Sequence, residues 1–303
     1  MKKSTIGVLV IVIIIIIIGV YYFTSHSSNL SPATPGQATT TAETASSSDQ
    51  AVAPVDKTKT VIGQSVEKRD ITAYHYGNGS AELLFIGGVH GGYEWNTTLV
   101  AYKLMDYLKA NPDAIPQNVK ITVIPVLNPD GLNKVVGTTG QFTAGDVSAS
   151  EETVIDGRFN ANNVDLNRNF DCHWQPTGTW QKMTVSGGSQ AFSEPESQAL
   201  KNYAETNKPV AVVVWYSAAG GVFASQCDNG ILPGTKELMS SYSAASGYKA
   251  YDSFDFYQTT GDLADWLAKQ NIPAINVILS AHNDTEWTKN LAGIQALLTH
   301  YAK

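Results

Sequence analysis

Short apolar runs and longer amphipathic segments alternate along the chain after residue 58. Four runs, bounded by turn residues and rich in β-branched side chains, predict buried strands at 83–86, 119–127, 210–215 and 274–279. Four segments with helical spacing lie between or after them, at 96–110, 193–206, 263–269 and 287–301. This alternation predicts an α/β fold class: a single globular domain over 58–303 with a central mixed, mostly parallel sheet flanked by helices.

Local motifs refine this picture at three places. The SEPE sequence at 193–196 predicts a capping box with Pro195 in the first turn of its helix. The NPDG sequence at 128–131 predicts a turn after the second strand. The segment 131–190 has little periodicity and many small polar residues, and a loop of that length is more often functional than idle.

The N-terminal part of the chain has a different pattern. Residues 6–23 are apolar or glycine, a run long enough to cross a bilayer, and Lys2 and Lys3 precede it. A cleaved signal peptide is the alternative, but its apolar core is usually shorter and leads to a small-residue cleavage site, whereas aromatic residues follow here. We therefore expect a short cytoplasmic N-terminus (1–5), a transmembrane signal-anchor helix (6–23) and a single-pass membrane protein whose domain lies outside the cytoplasm.

Residues 24–57 are rich in Ser, Thr, Ala and Pro, which predicts a disordered linker. The formal net charge of −7 argues against nucleic acid as a partner. Two cysteines, Cys172 and Cys227, fall in the outer domain, where they are either a disulfide pair or two free thiols.

Candidate metal chemistry lies at the end of the first strong strand. His90 and Glu94 are separated by Gly91, Gly92 and Tyr93, and imidazole and carboxylate both suit zinc. By itself the pair is a weak signal, because a histidine at a strand end is more often only hydrogen-bonded.

The ordered motifs HGGYEW, NPDG, VDLNRNF, SEPE and YQTTGDLADW together resemble the carboxypeptidase A-type zinc carboxypeptidases. The resemblance extends from about Gly87 to Tyr301. It implies that His90 and Glu94 are two zinc ligands, although the family more often has two residues between them rather than three. It also implies a mixed-sheet α/β fold and peptide C-termini as ligands.

The resemblance also implies roles for five residues of the substrate site. Asn167 and Arg168 match the pair that binds the terminal carboxylate, and a planar guanidinium suits two-pronged carboxylate binding. Arg158 matches the arginine that stabilises the oxyanion. Tyr257 matches the tyrosine that closes over the substrate, and Ala264 matches a position in the side-chain pocket.

Two positions depart from the family pattern. Tyr216 stands where the third zinc ligand, a histidine, is expected, and a neutral phenol is a poor ligand. Ile278 stands where the family has its general-base glutamate, a kind of group worth about 100- to 10,000-fold in rate. His282 follows on the next loop as a substitute ligand or as an ordinary loop histidine. We therefore expect zinc binding to be weak or absent.

Three functions follow as hypotheses. The first is a membrane-anchored domain that recognises peptide C-termini, including cell-wall stem peptides, with zinc-dependent hydrolysis impaired or lost. The second is an active zinc metallocarboxypeptidase with a substitute third ligand. The third is a structural surface domain with a vestigial cleft.

Overall fold

The computed structural model of the protein describes residues 58–302, in which a mixed sheet is flanked by helices. The strands are β1 (Lys59–Gln64), β2 (Asp70–Tyr76), β3 (Ala81–Ile86), β4 (Val119–Ile124), β5 (Thr177–Trp180), β6 (Met183–Ser186), β7 (Ala211–Ser217), β8 (Gly221–Ala224), β9 (Ala250–Tyr251) and β10 (Ala274–Leu279). The α-helices are α1 (Trp95–Ala110), α2 (Pro129–Val136), α3 (Glu151–Asp156), α4 (Pro195–Asn207), α5 (Pro233–Ser246), α6 (Leu263–Lys269) and α7 (Trp287–Tyr301).

Within the described residues, eight strands form one sheet in the order β1-β2-β4-β3-β7-β10-β8-β9, and β5 pairs only with β6. Four neighbouring pairs in the large sheet are parallel and three are antiparallel. The parallel pairs include the central run β4-β3-β7-β10. The predicted α/β domain with a mixed central sheet is therefore confirmed.

The apolar alternation along each strand builds a core on both faces of this sheet. In β3, Leu83 and Phe85 pack in one core cluster, and Leu84 and Ile86 pack in the other. This is expected because successive side chains of a strand point to opposite faces. Every residue of β7 is buried, which explains its continuous apolar run.

Some local predictions were wrong. Glu194 is the N-cap of α4, but no side chain caps this helix, so the expected capping box does not form. Pro195 does occupy the first turn. The NPDG motif does more than turn the chain: Asn128 caps α2 by accepting a hydrogen bond from Gly131 N, and α2 starts at Pro129. The segment 131–190 contains α3 and the β5-β6 hairpin and is not a plain loop.

A disulfide joins Cys172 to Cys227, with 6.1 Å between their Cα atoms. Among residues 58–302, no helix has the length and apolar composition needed to cross a bilayer. The predicted N-terminal segment, membrane helix and linker (1–5, 6–23 and 24–57) lie outside the described residues.

Candidate active site

A cleft of about 580 Å³ opens at the carboxyl ends of three adjacent parallel strands, β3, β7 and β10. Ligand sites of α/β sheets are commonly found at this edge. The cleft is lined by most of the residues that the motifs singled out: His90, Glu94, Arg158, Asn167, Arg168, Tyr216, Tyr257, Ile278 and His282.

The turn between β3 and α1 brings His90 and Glu94 together. Their Nδ1 and Oε1 atoms lie 3.0 Å apart, and both side chains are buried. Gly91 has a φ of +46°, and a Cβ atom there would lie 2.6 Å from the Gly157 carbonyl oxygen. Only glycine suits this position, so the three-residue spacing still lets both side chains face the same point.

Asp165 fixes the protonation of the His90 ring. Its Oδ1 lies 3.2 Å from His90 Nε2, and because an ionised carboxylate only accepts hydrogen bonds, Nε2 must carry the proton. In the neutral ring, Nδ1 then presents a lone pair towards Glu94. Sequence reasoning assigned no role to Asp165, although it lies in the VDLNRNF motif two residues before Asn167.

Arg158 and Asp165 form a buried ion pair. Two guanidinium nitrogens of Arg158 donate to Asp165 Oδ2, at 3.0 and 2.8 Å, and the guanidinium carbon lies 4.3 Å from the centre of the Trp180 ring. Burial opposes ionisation of Asp165, but Arg158 and His90 outweigh it and hold the pKa of this carboxyl well below its usual range. Arg158 also lies 3.8 Å from Glu94 Oε1, so its charge reaches the predicted metal-binding pair.

Tyr216 is the penultimate residue of β7 and packs against His90, with 5.2 Å between ring centres. Its hydroxyl donates to Asn167 Oδ1 at 2.9 Å. Burial and the carboxylates of Asp262, Glu94 and Asp165 raise the pKa of this phenol well above 10. At neutral pH, Tyr216 is therefore a hydrogen-bond donor and not an anionic ligand.

The predicted carboxylate-binding pair is partly engaged within the protein. Asn167 donates from Nδ2 to Asp262 Oδ2 at 2.7 Å and accepts from Leu263 N as well as from Tyr216. Arg168 donates to the carbonyl oxygens of Asn167 and Thr179, at 2.7 and 2.8 Å. Its Nε is buried and has no hydrogen-bond partner among the described residues. The pair thus keeps unused donors at the cleft.

The far wall of the cleft comes from β10 and the segment before α6. Ile278 pairs with Tyr216 in the register of β10 and β7, and its side chain is apolar and nearly buried. Tyr257 faces Arg168, with the guanidinium carbon 5.9 Å from its ring centre.

Ala264 does not take part in the cleft, contrary to the prediction from the motif. It is the second residue of α6, which begins directly after Asp262, and it is fully buried in the core. Asp262 and Asp265 line the cleft instead. Burial, together with the charge of Asp262, raises the pKa of Asp265 to about 8.

His282 lines the cleft although it lies on the loop after β10. Its Nδ1 is 2.8 Å from Ser217 Oγ, and its ring meets Tyr93 edge-on with 4.7 Å between centres. Burial lowers the pKa of His282, so the imidazole is neutral near pH 7. Sequence reasoning had only its position in the chain and could not find Ser217 as its partner.

Of the three positions expected to bind zinc, those of His90 and Glu94 carry groups that suit a cation, and that of Tyr216 does not. His90 Nδ1 and Glu94 Oε2 are buried without a hydrogen-bond partner among the described residues, which is costly unless a positive group faces them. Imidazole nitrogen and carboxylate oxygen suit zinc, but zinc sites with three protein ligands are the rule, and Tyr216 donates its proton elsewhere. Zinc there would act by withdrawing electrons from oxygen atoms that approach it.

A second group of potential ligand atoms lies outside the cleft. Those of Cys172, His173 and Cys227 come within 4.8 Å of one another. Both sulfur atoms belong to the disulfide, so neither is a thiolate that could hold a metal.

The fold and the cleft together define an α/β domain with the buried His90–Glu94 pair and buried arginines at the carboxyl ends of its parallel strands. Residues 51–288 match the zinc carboxypeptidase family. The chain therefore belongs to this family.

Solved structures of the family share the fold. Bovine thrombin-activatable fibrinolysis inhibitor, solved with a tick carboxypeptidase inhibitor, is 17% identical with a TM-score of 0.64, and the alignment covers 80% of this chain and 89% of that one. Murein-tripeptide amidase from Escherichia coli O157 is 20% identical with a TM-score of 0.55, covering 79% and 91%. At these identities the likeness shows the fold alone.

Curated relatives match over part of their length. A γ-D-glutamyl-L-diamino acid endopeptidase from Lysinibacillus sphaericus is 25% identical over 229 residues, which are 68% of this chain and 57% of the relative. Carboxypeptidase Z from Gallus gallus is 34% identical over 122 residues, 36% of this chain and 18% of the relative. The chain thus spans less than two thirds of either protein.

Proposed function

We propose that the domain binds the C-terminal ends of peptides in this cleft and hydrolyses them slowly or not at all. The observation that carries the proposal is the contrast between the two sides of the cleft. Arg168 keeps free donors where a terminal carboxylate would lie, whereas Tyr216 and Ile278 occupy the positions of the expected third ligand and general base.

The hydrogen-bond inventory of Arg168 supports carboxylate binding. A guanidinium has five N–H donors, and within residues 58–302 two of those of Arg168 donate, to the carbonyl oxygens of Asn167 and Thr179. The remaining donors include the buried Nε, whose desolvation is compensated only when an acceptor arrives. A carboxylate accepts two parallel hydrogen bonds from such a group.

Impaired hydrolysis follows from the side chains of Ile278 and Tyr216, at the positions of the expected general base and third ligand. The sec-butyl side chain of Ile278 neither accepts nor donates a proton, and the phenol of Tyr216 stays protonated near pH 7 because its pKa is raised. Loss of a general base alone typically lowers the rate by about 100- to 10,000-fold. Weakened metal binding would lower it further.

Cell-wall stem peptides are the ligand class we propose. The support is the similarity to an endopeptidase whose name refers to γ-D-glutamyl-L-diamino acid bonds. The apolar run at 6–23 supports a location at the membrane with the domain outside the cytoplasm, where such peptides occur. Membrane fractionation of the full chain, with a variant lacking residues 1–23 as the control, tests the location.

Binding is tested by titrating the protein with a peptide that has a free C-terminal carboxylate and with the same peptide as a C-terminal amide. We expect the amide to bind at least about 10-fold more weakly, since a charged hydrogen bond contributes about 1.5–3 kcal/mol. Arg168→Ala should remove this difference, whereas Lys134→Ala, at an exposed cation outside the cleft, should keep it. Equal binding of both peptides, or none, would favour a structural domain with a vestigial cleft.

An active zinc carboxypeptidase is the second candidate, favoured by the unpartnered atoms His90 Nδ1 and Glu94 Oε2. Zinc content by elemental analysis and chelator-sensitive release of C-terminal amino acids distinguish the two. Under the main proposal, the double variant Tyr216→His with Ile278→Glu gains such activity, while the wild type has little. Full zinc occupancy and rapid turnover in the wild type would establish the second candidate.

A further inference from the structure

Three side chains from separate elements form a hydrogen-bonded chain beside the cleft, which we call the His282 relay: Asn96 in α1, Ser217 at the end of β7, and His282. Asn96 Nδ2 donates to two carbonyl oxygens of the His282 loop, those of Ala281 at 2.7 Å and Asp284 at 2.9 Å. These two acceptors fix the orientation of the amide. Its Oδ1 can therefore only accept, and Ser217 Oγ donates to it at 3.0 Å.

This arrangement determines which nitrogen of His282 carries the proton. Ser217 has one hydroxyl proton, which is used for Asn96, so at the 2.8 Å contact Ser217 Oγ accepts from His282 Nδ1. A neutral imidazole protonated at Nδ1 has its lone pair on Nε2. No described residue donates to Nε2, and the ring lines the cleft.

The surroundings of His282 match those of a proton acceptor better than those of a metal ligand. Burial favours its neutral form, and the charges that reach it are those of Glu94, Arg158 and His90. The potential ligand atoms of His90, Glu94 and His282 do not all lie within 4.8 Å of one another, so the three do not form one coordination shell. A general base does not have to lie as close to His90 and Glu94 as a shared metal ion would require. It only has to reach, at hydrogen-bond distance, a water molecule near this pair.

We propose that His282 Nε2 is the proton acceptor of the cleft and takes the place of the carboxylate that Ile278 lacks. The inference rests on the proposed function, because it assigns the slow hydrolysis of a bound peptide to this residue. Ser217 and Asn96 are positioning residues that hold Nε2 unprotonated and facing the cleft.

The step is a hydrolysis. A water oxygen forms a bond to the peptide carbonyl carbon while one water proton passes to Nε2. The imidazolium then donates that proton to the departing amide nitrogen as the C–N bond breaks. The products are a free amine and a carboxylic acid, whose remaining proton is lost to solvent.

The full chain is treated with zinc and incubated with a dipeptide substrate. Its slow hydrolysis is measured by mass spectrometry of the C-terminal amino acid that is released. We expect His282→Ala to lower kcat by about 100-fold or more and to leave KM and peptide Kd nearly unchanged. Added imidazole should restore part of the rate. His282→Gln, which can still donate to Ser217 but has no ring nitrogen, should be as slow as His282→Ala, whereas His300→Ala, at a histidine outside the cleft, should resemble the wild type.

A readout without turnover comes from nitrogen-15 NMR of the histidine side chains in the full chain. The wild type should show His282 protonated at Nδ1 and unprotonated at Nε2, and Ser217→Ala should lose this tautomer preference. The opposite tautomer in the wild type overturns the proposal. A wild-type kcat no higher than that of His282→Ala also overturns it. If peptide binding then still depends on the terminal carboxylate, the proposed function stands although this inference does not.

Discussion

Tyr216 and Ile278 are paired in the register of β7 and β10, so the two departures from the family pattern lie at one place in the cleft. Near pH 7 the raised pKa keeps the phenol of Tyr216 protonated, and the side chain of Ile278 is a hydrocarbon that neither binds metal nor accepts a proton. Tyr216 donates to Asn167, which in turn donates to Asp262. At the residue scale, a hydrogen-bond network occupies the position expected for the third ligand.

Asp165 is expected to be the most sensitive residue of this network. It is the carboxylate that compensates the buried charge of Arg158, and it also holds His90 in one tautomer. Removing one partner of a buried ion pair typically costs about 3–5 kcal/mol. Asp165→Asn should therefore lower the free energy of unfolding in urea by about that amount, whereas Asp171→Asn, which removes an exposed partner of Lys269, should change it by less than about 1 kcal/mol.

Asp265 should make the domain less stable as the pH rises. Its pKa is about 8 in the folded protein, because of burial and the nearby Asp262, but an unfolded aspartate titrates near pH 4. Between about pH 4 and pH 8 the folded state therefore binds more protons, and stability falls as pH increases. Asp265→Asn removes this effect.

The free energy of unfolding of Asp265→Asn, relative to that of the wild type, should be higher at pH 8 than at pH 5. We expect this difference to grow by at least about 1 kcal/mol, since one pKa unit corresponds to about 1.4 kcal/mol. Urea unfolding at the two pH values measures it. Asp255→Asn, at an exposed carboxylate, should give the same difference from the wild type at both pH values. A constant gap for Asp265→Asn would contradict the raised pKa.

At the element scale, the strands buried on both faces could be predicted from sequence, since β3, β4, β7 and β10 consist mainly of apolar residues. The half-exposed edge strands β1 and β9 have no such signal. Motif residues such as His90 and Arg168 were recognised because their neighbours in sequence are also motif residues. The role of Asp262, which lies in the YQTTGDLADW motif, and the partners of His282 were not predicted, because the side chains they contact lie far away in the chain and only the fold brings them together.

The disulfide links two elements that line the same cleft. Cys172 follows the segment of Asn167 and Arg168, and its carbonyl oxygen accepts from Gly261 N, while Cys227 follows β8. The bridged residues are 55 positions apart, and closing a loop of this length corresponds to about 4 kcal/mol in the chain-entropy treatment of the unfolded state.

The double variant Cys172→Ser with Cys227→Ser should therefore lower the free energy of unfolding by about 2–4 kcal/mol. Reductant should bring the wild type to the same value and should leave the double variant unchanged. Urea unfolding with and without reductant provides both comparisons. Equal stability of wild type and double variant without reductant would mean that the bridge does not constrain the unfolded chain.

At the scale of the whole molecule, the chain has the fold of the zinc carboxypeptidase family, and Tyr216 and Ile278 line its cleft. The two core clusters on the faces of the sheet contain neither His90 nor Glu94. Stability and metal binding can therefore be separated in this domain, and a metal that binds only the native state adds to stability in proportion to its affinity. This linkage allows zinc binding to be measured without any catalytic assay.

Zinc should raise the melting temperature of the wild type only slightly and that of Tyr216→His much more. In the variant the introduced imidazole would be a third ligand beside His90 and Glu94, and zinc at about 100 times the variant's Kd would add about 2.7 kcal/mol. For a domain of this size, that corresponds to a rise of roughly 5–10 °C, against less than about 2 °C for the wild type. Thermal unfolding with zinc and with a chelator measures both, and His300→Ala controls for zinc bound at the surface. A wild-type rise as large as that of Tyr216→His would show that the native cleft already completes its metal site.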